Sequence, residues 1–229
     1  MTAAQPQHRI RIRQGLNIPL RGRPEQHIHD GPEIRHVALC GPDYYGLKPR
    51  LLVAEGDRVG LGQPLFVDKR DPVIPYVSPA RGTVIAVNRG ARRVLESVVV
   101  RREDSGPEDL VFEPLDEHGM RGLDRAAVVE RLQRSGLWTS FRTRPFSRVP
   151  LSDSMPAAVF VTALDRRPLA ANPLAIIRQA PEAFADGLRV LALLPRKDVF
   201  LCTAPDWDVV LPEIGSLVRA EFSGPHPAG

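Results

Sequence analysis

The segment 135–150 carries the residue types in this chain that are best suited to binding. It places one tryptophan, two phenylalanines and three arginines around two prolines: Trp138, Phe141, Phe146, Arg142, Arg144 and Arg148. Aromatic faces and guanidinium donors suit a flat apolar ligand with carbonyl oxygens, and they also dominate protein docking surfaces. A loop between domains that packs Trp138 into a core would use the same residues. The segment predicts a binding or docking loop, with the packing role left open.

The other residues that could support chemistry lack partners. His27 and His29 can share one strand face, but no third ligand is near, so we expect no metal site. Cys40 and Cys202 lie far apart inside apolar runs, which is typical of buried thiols. Asp165 follows a predicted strand, where α/β folds place functional groups, although a turn aspartate is the preferred interpretation. We identify no nucleophile with an adjacent base, and therefore no catalytic residue.

The composition is that of a globular chain with one or two domains. The 229 residues are 43% hydrophobic and 25% charged, with a net charge of +4. The longest apolar runs are strand-sized and the polar start lacks a secretory signal, so we expect a cytoplasmic chain without a membrane span. The arginines are scattered, few aromatics accompany them and no nucleic-acid module is recognisable. Nucleic acid is therefore not an expected partner.

Residues 34–103 are predicted to form an all-β domain after an N-terminal segment at 1–33. Apolar runs at 37–39, 50–53, 64–67, 76–77, 83–87 and 98–100 are separated by Gly and Pro. The stretches 53–65 and 78–84 resemble the two half-motifs of biotinyl and lipoyl carrier domains. Two strand–turn–strand halves of this kind can close a small sandwich with few exposed edges. We predict a barrel-sandwich hybrid.

Carrier domains attach their prosthetic group to a lysine at a hairpin tip, and Asp68-Lys69 invites that comparison. Lys69 follows Leu65 closely and lies far ahead of the second half-motif, while Pro72 and Pro75 are expected to distort the hairpin. We therefore predict that Lys69 is a solvated loop residue. A carrier domain modified at Lys69 would instead show a mass increase on that lysine.

A linker is predicted at 104–122, and a small Rossmann-like α/β domain at 123–229. Apolar residues at every third position predict a helix over 123–135 that ends at Gly136. Predicted strands and helices then alternate, which favours a mostly parallel sheet: strands 157–163, 188–194 and 198–204, and helices 173–184 and 208–220. The turn after Ala163 has no glycine, so nothing predicts NADH or flavin bound at a helix N-terminus.

Several stretches, taken in order, resemble the family of the A subunit of the sodium-translocating NADH:quinone oxidoreductase. They cover most of the chain: 12–26, 30–49, 53–72, 88–100, 135–150, 160–173 and 222–229. The most specific phrases are RTRPFS at 142–147 and ALDRRPLAANP at 163–173. Family members continue past the equivalent of Gly229 into a β-grasp-like domain and a C-terminal domain. We therefore expect this chain to be the N-terminal portion of such a subunit, truncated before them.

The resemblance implies a peripheral subunit on the cytoplasmic face of the bacterial inner membrane. The complex passes electrons from NADH to ubiquinone and exports sodium. The A subunit is implied to contribute to quinone binding while holding no tightly bound redox cofactor of its own. The implied partners are the other subunits, mainly the membrane-embedded B subunit, and ubiquinone as the substrate of the complex. The alternative is a structural scaffold that docks onto membrane subunits and binds no small ligand.

Two segments tied to quinone in the family correspond here to 39–47 and 141–148. The resemblance implies that rings and apolar side chains from both segments contact the quinone: Tyr44, Tyr45, Leu47, Phe141 and Phe146. Arg142 or Arg144 would polarise a quinone carbonyl. Cys40 stands where the family usually has leucine, and Leu47 where it usually has methionine. Both changes keep the apolar character of the segment.

Overall fold

The computed structural model describes residues 5–22 and 24–228. Residues 1–4 and 23, in the predicted N-terminal segment, and Gly229, at the end of the last matching stretch, lie outside the described residues. The chain divides into two compact units by its internal contacts. The first, which we call the β unit, spans 32–154. The second, the α/β unit, combines the described residues before Pro32 with those from Met155 onward.

Strands outnumber helices among the described residues. The strands are β1 (His8–Arg11), β2 (His36–Cys40), β3 (Pro49–Leu51), β4 (Arg58–Val59), β5 (Pro64–Asp68), β6 (Asp71–Val77), β7 (Gly82–Arg89), β8 (Leu95–Arg102), β9 (Val159–Ala163), β10 (Val199–Thr203) and β11 (Leu217–Ser223). The helices are α1 (Glu117–Arg121), α2 (Arg125–Arg134), α3 (Pro173–Ile177) and α4 (Pro181–Leu191). Short 3-10 turns lie at Gly41–Asp43, Ala91–Arg93 and Leu137–Ser140.

Two small antiparallel sheets form most of the β unit. Their strand orders are β2-β8-β7-β4 and β3-β5-β6. In β8 the buried Val98 and Val100 alternate with more exposed neighbours, as expected for a strand with one face on a core. One buried cluster fills the unit: Val59, Leu65, Phe66, Tyr76, Val84, Leu95, Val98 and Val100. The runs predicted at 37–39, 64–67, 76–77, 83–87 and 98–100 all lie within these strands.

The first part of the predicted linker, 104–122, packs against the sheets of the β unit. Asp109 accepts hydrogen bonds from the Arg81 guanidinium (2.7 Å) and from the Leu61 amide (2.8 Å). The hydrogen bond from the Leu61 amide, and after it the one from Arg81, lower the pKa of Asp109 below its usual value. Gly62 has a φ of +81°, and a Cβ there would lie 2.7 Å from the Leu110 Cβ. Glycine is therefore required for this close approach.

Helix α2 leads into the aromatic and arginine-rich segment. Asp124 caps the helix by accepting a hydrogen bond from the Ala127 amide (2.8 Å). Gly136, with a φ of +76°, follows its C-terminal end, as predicted. Trp138 is then buried, and its Nε1 donates to the Pro150 carbonyl (3.0 Å). Because α2 contacts β6, the segment 123–154 groups by contacts with the β unit, although it was predicted with the α/β domain.

A four-stranded parallel sheet organises the α/β unit, in the order β1-β11-β10-β9. Helices α3 and α4 provide the crossover between β9 and β10. The core of this unit contains Ala163, Leu174, Leu188, Val199, Leu201, Trp207, Val209 and Leu217. Phe160 and Phe200 alternate with core residues along their strands and stack on the opposite face at 5.0 Å. The predicted parallel sheet is confirmed, but one of its faces exposes aromatic surface.

Two predicted elements of the α/β unit are wrong. The run 188–194, predicted as a strand, contains the end of helix α4 and the turns that follow it. A short apolar run suits either element, and periodicity does not separate them. The predicted helix 208–220 is an extended loop followed by β11. Val210, Ile214 and Leu217 have a helical spacing in the sequence, but on this irregular segment they do not share a buried face, since Val210 is exposed.

Two further differences concern the boundaries of elements. The predicted helix 173–184 is two helices, because the chain leaves the helical conformation at Ala180 before Pro181 starts α4. The N-terminal segment supplies β1, whose short polar sequence His8-Arg9-Ile10-Arg11 gives no strand signal.

Among the described residues, no helix is both long and apolar enough to cross a membrane.

Replacing Gly136 by alanine should destabilise the β unit by roughly 1–3 kcal/mol. A Cβ at this position would lie 2.5 Å from Val77 Cγ2, and the backbone has a positive φ. Gly187→Ala is the matched control, because Gly187 lies inside helix α4 with nothing near its missing Cβ. It should stabilise by about 0.5–1 kcal/mol. Urea unfolding followed by circular dichroism measures both, and equal effects of the same sign would contradict the role given to Gly136.

Candidate functional site

The loop 41–47 places two tyrosines differently. Gly41 packs so closely on the β8 strand that a Cβ there would lie 2.1 Å from the Leu95 carbonyl oxygen. The loop then closes with hydrogen bonds from Tyr44 N to Gly41 O and from Leu47 N to Tyr44 O, both 3.1 Å. Tyr44 and Leu47 pack against the core, whereas Tyr45 is 65% exposed. One ring anchors the loop and the other is available to a ligand.

A chain of aromatic contacts joins this loop to the core. The Tyr44 and Tyr76 rings meet edge to face at 4.7 Å, and Tyr76 stacks on the fully buried Phe66 at 4.7 Å. Burial, followed by the charge of Asp68, raises the pKa of Tyr76 to about 12. Burial also raises the pKa of Tyr44, although a hydrogen bond with Thr139 and the charge of Arg142 act to lower it. Both phenols are therefore neutral at physiological pH.

The segment 141–148 forms a tight turn of its own. Thr143 N donates to Arg148 O (2.8 Å), and Ser147 N donates to Thr143 O (2.7 Å). The Arg144–Pro145 peptide bond is cis. At the base of the turn, Phe141 packs edge to face on Trp138 at 5.6 Å. The turn therefore exposes its tip and keeps its base on the buried tryptophan.

Two cation–π contacts join the turn to the tyrosine loop. The guanidinium carbon of Arg142 lies 5.5 Å from the Tyr44 ring centre, and that of Arg148 lies 5.6 Å from the Tyr45 ring centre. Arg142 Nη2 also donates to the carbonyl of Asp43 at 3.2 Å, across 99 residues of sequence. Its Nη1 donates to the carbonyls of Thr139 and Phe141. Arg142 thus bonds both segments at once.

The structure brings together some of the predicted site residues and separates others. Tyr44, Tyr45 and Arg142 are in contact through the two segments, Leu47 packs on the core and Phe141 packs on Trp138. Arg144 and Phe146 lie on the exposed tip of the turn. Their side chains form no hydrogen bond, ion pair or ring contact with another described residue. Their part in a common site stays a prediction.

The quinone contacts predicted from the sequence did not include Arg148, Thr139 or Tyr76, which the structure adds to this cluster. Arg148 belongs to the segment that was predicted to bind, but its contact with Tyr45 depends on the closure of the turn. Tyr76 lies in β6, where an alternating aromatic indicates only a core position. The arginine-rich composition of the segment was therefore a signal for Arg148, whereas nothing in the sequence indicated that Tyr76 lies next to the site.

A groove of about 920 Å³ borders the tyrosine loop. Its walls come from the loop 41–47, from β3 and the residue before it, from the β5–β6 turn and from the β7–β8 hairpin. No acidic residue lines it among the described residues, and six cationic side chains do: Lys48, Arg50, Lys69, Arg89, Arg92 and Arg93. We call this the basic groove. Sequence reasoning missed it because the six residues come from three separate stretches.

Lys69 lies at a hairpin turn, contrary to the prediction made from its spacing. Asp68 pairs with Asp71, so Lys69 and Arg70 alone form the turn between β5 and β6. Pro72 and Pro75 do not disrupt this hairpin, since Pro75 of β6 lies opposite Val67 of β5. The pairing of the two strands has register shifts. The turn is tied to β3, since Lys69 N donates to the carbonyl of the residue before that strand at 2.9 Å. That Lys69 is an unmodified, solvated lysine stays a prediction.

The other residues considered in the sequence, Asp165, His27 and His29, contact neighbouring side chains. Asp165 accepts a hydrogen bond from the Arg167 amide at 2.9 Å and pairs with its guanidinium. The Arg167 side chain, the largest contribution, holds the pKa of Asp165 below its usual value. This is the turn arrangement that was preferred. His27 and His29 meet edge to face at 4.7 Å. The described residues contain no group of three or more metal-ligating side chains.

The chain combines two domain types, an antiparallel β sandwich and a parallel α/β unit. The turn that follows β9 contains no glycine of the kind that forms a phosphate-binding loop. Two family models match it: the NqrA N-terminal barrel-sandwich hybrid domain over 10–103, and the NqrA second alpha/beta domain over 123–229. The chain therefore belongs to the NqrA family, the A subunits of the Na⁺-translocating NADH-quinone reductases. The predicted fold class and family are confirmed.

Relatives in several bacteria are each named as the A subunit of a Na⁺-translocating NADH-quinone reductase. Those of Histophilus somni (strain 2336), Saccharophagus degradans and Neisseria meningitidis serogroup B are 46%, 50% and 45% identical to this chain over 220 residues. Each match covers 96% of this chain and 49% of the relative. The chain thus spans about half the length of the curated relatives that it matches.

Tyr76→Phe should reduce the loss of stability at alkaline pH. The folded chain holds the Tyr76 proton more tightly than the unfolded chain, so this stabilisation is present below about pH 10 and is lost as the pH rises toward 12. From about pH 9 to 12 the free energy of unfolding of the unmodified chain should fall by roughly 2–3 kcal/mol more than that of the variant. Urea midpoints across this range measure the difference.

The matched control for this measurement is Tyr45→Phe, which removes a hydroxyl from an exposed ring. A variant of Tyr76 that keeps the full alkaline slope would show that the buried phenol does not ionise with unfolding.

Proposed function

We propose that this chain acts within a peripheral subunit of a respiratory complex that passes electrons from NADH to ubiquinone and couples them to sodium export. Its contribution is to quinone binding, without a redox cofactor of its own. The family membership supports the complex, since the relatives are named as subunits of a Na⁺-translocating NADH-quinone reductase. Ubiquinone and the other subunits, mainly the membrane-embedded B subunit, are the proposed partners, on the cytoplasmic face of the inner membrane.

The observation that carries the quinone proposal is the pairing of two tyrosines with two arginines from distant segments. Arg142 lies over Tyr44 and Arg148 over Tyr45, at a half-exposed surface next to the basic groove. A quinone has a flat ring and two carbonyl oxygens. An aromatic face can stack on the ring, and a guanidinium can donate to a carbonyl oxygen.

The hydrogen bonds distinguish the arginines in this site. Arg142 donates to three backbone carbonyls, so its fork is committed to holding the two segments together. The guanidinium groups of Arg144 and Arg148 donate no hydrogen bond to a described residue. We therefore assign the carbonyl donor to Arg144 or Arg148, and give Arg142 a positioning role. Tyr45 and Phe146, both largely exposed, supply the faces that a ring can reach.

The scaffold alternative is favoured by a different surface. Phe160 and Phe200 stack at 5.0 Å on one face of the parallel sheet, and Phe160 is 65% exposed on the edge strand β9. Parallel sheets are usually covered on both faces. An exposed aromatic pair at such an edge suits docking onto another protein.

A photoreactive quinone should label 39–47 or 141–148 of the purified chain, and unlabelled short-chain quinone should compete. Arg148→Gln should weaken the competition by roughly tenfold or more, because a hydrogen bond from a charged donor is lost. Arg167→Gln, which alters an arginine of the α/β unit, is the control. Peptide mapping by mass spectrometry locates the label. Labelling that is absent, or that excess quinone leaves unchanged, would refute the quinone site.

Phe160→Ser should reduce co-purification of this chain with the other subunits of the complex, because it removes the exposed half of the stacked pair. Quinone labelling should be unchanged in this variant if the scaffold surface and the quinone surface are separate. Val210→Ser, at another exposed apolar position, is the control. Co-purification that survives Phe160→Ser would count against docking through this face.

A further inference from the structure

We propose that the basic groove binds the anionic headgroups of phospholipids and so places the β7–β8 hairpin on a membrane surface. The groove does not include the proposed carbonyl donors of the quinone, Arg144 and Arg148, although it shares Tyr45 with the proposed quinone site. The proposal rests on the charge of the groove, on the conformation of the hairpin and on exposed apolar side chains beside the cations.

The positive charge of the groove is not neutralised by the described residues. The charged groups of Lys48, Arg50, Lys69, Arg92 and Arg93 are exposed and form no ion pair or hydrogen bond with a described residue. The sixth cation, Arg89, donates to the Arg93 carbonyl at 3.2 Å and likewise has no acidic partner among the described residues. Other arginines of the β unit are paired with acids: Arg58 with Glu103, Arg70 with Asp68 and Arg81 with Asp109. A concave surface lined by one sign of charge concentrates counter-ions of the other sign.

The hairpin holds its arginines in an unusual conformation. Arg92 and Arg93 have φ angles of +55° and +61°, which non-glycine residues adopt rarely. Hydrogen bonds from Gly90 N to Val94 O (2.9 Å) and from Arg93 N to Gly90 O (3.1 Å) close the turn. The Glu96 carboxylate packs against Gly90 and forms no ion pair with a described arginine. Such a backbone keeps two adjacent guanidinium groups at the tip of one hairpin.

Apolar groups beside these cations favour a lipid over other anions. Val94 is exposed next to Arg93, and Tyr45 is exposed in the loop 41–47, which also lines the groove. Cationic side chains next to exposed apolar ones are typical of surfaces that sit at a lipid interface. A nucleic acid would need several stacking rings. Of the two tyrosines in the groove, Tyr44 is packed on Tyr76, which leaves one.

Flotation of the purified chain with vesicles tests the proposal. We expect binding to phosphatidylcholine vesicles that contain phosphatidylglycerol, little binding to pure phosphatidylcholine, and release by high salt. Arg92→Asn with Arg93→Asn should weaken binding roughly 30-fold, from about fivefold per cation at an anionic surface. Asparagine tolerates the left-handed backbone, so this variant should fold. Arg196→Asn with Lys197→Asn removes the same charge from exposed residues of the α/β unit and is the control.

A second variant protects the test against a local folding defect. Lys69→Gln changes an exposed residue of the β5–β6 turn, on another wall of the groove, and should weaken binding about fivefold. Equal binding to both vesicle types, or equal losses in the hairpin and control variants, would overturn the proposal. Release by millimolar inorganic phosphate would assign the groove to a small anion instead. Tighter binding of single-stranded DNA, lost in the hairpin variant, would assign it to nucleic acid.

Discussion

The guanidinium of Arg142 is the contact on which the candidate site depends. Its planar fork has several donors in fixed directions, so one side chain can bond the carbonyl of Asp43 and the carbonyls near its own turn while its face covers Tyr44. Tyr44 packs on Tyr76, and Tyr76 stacks on Phe66 in the core. The surface cluster is therefore continuous with the packing of the β sandwich.

Arginine has two roles in the β unit, and the partners of each residue separate them. Where a carboxylate is near, as for Arg81 with Asp109, the pair holds a connecting segment on the sandwich. Where no described carboxylate forms an ion pair, as for Arg92 and Arg93, the charge is left to solvent or to a ligand. The modest net charge of +4 conceals this division, because it sums paired and unpaired residues. Unpaired charges of one sign attract ligands of the opposite sign.

The two units differ in how their sheets are covered. The antiparallel sheets of the β unit enclose one core, whereas the parallel sheet of the α/β unit buries Val199 and Leu201 on one face and stacks Phe160 and Phe200 on the other. Exposed aromatic area of this kind is a common feature of docking surfaces. The proposed quinone contact and the proposed docking surface therefore belong to different units of this chain. A variant in one unit can be tested without changing the residues of the other.

By itself the sequence determined the family, the order of the two domain types and most strands of the β sandwich, because runs rich in β-branched residues, such as 83–87 and 98–100, favour strands. It also marked both segments of the candidate site. Short apolar runs such as 188–194 suit a helix or a strand equally, so only the packing of helix α4 decided between them. Only the tertiary structure placed Arg148 over Tyr45 and gathered the basic groove from three stretches. Contacts between residues far apart in sequence leave no periodic signal, because they depend on how the whole chain closes.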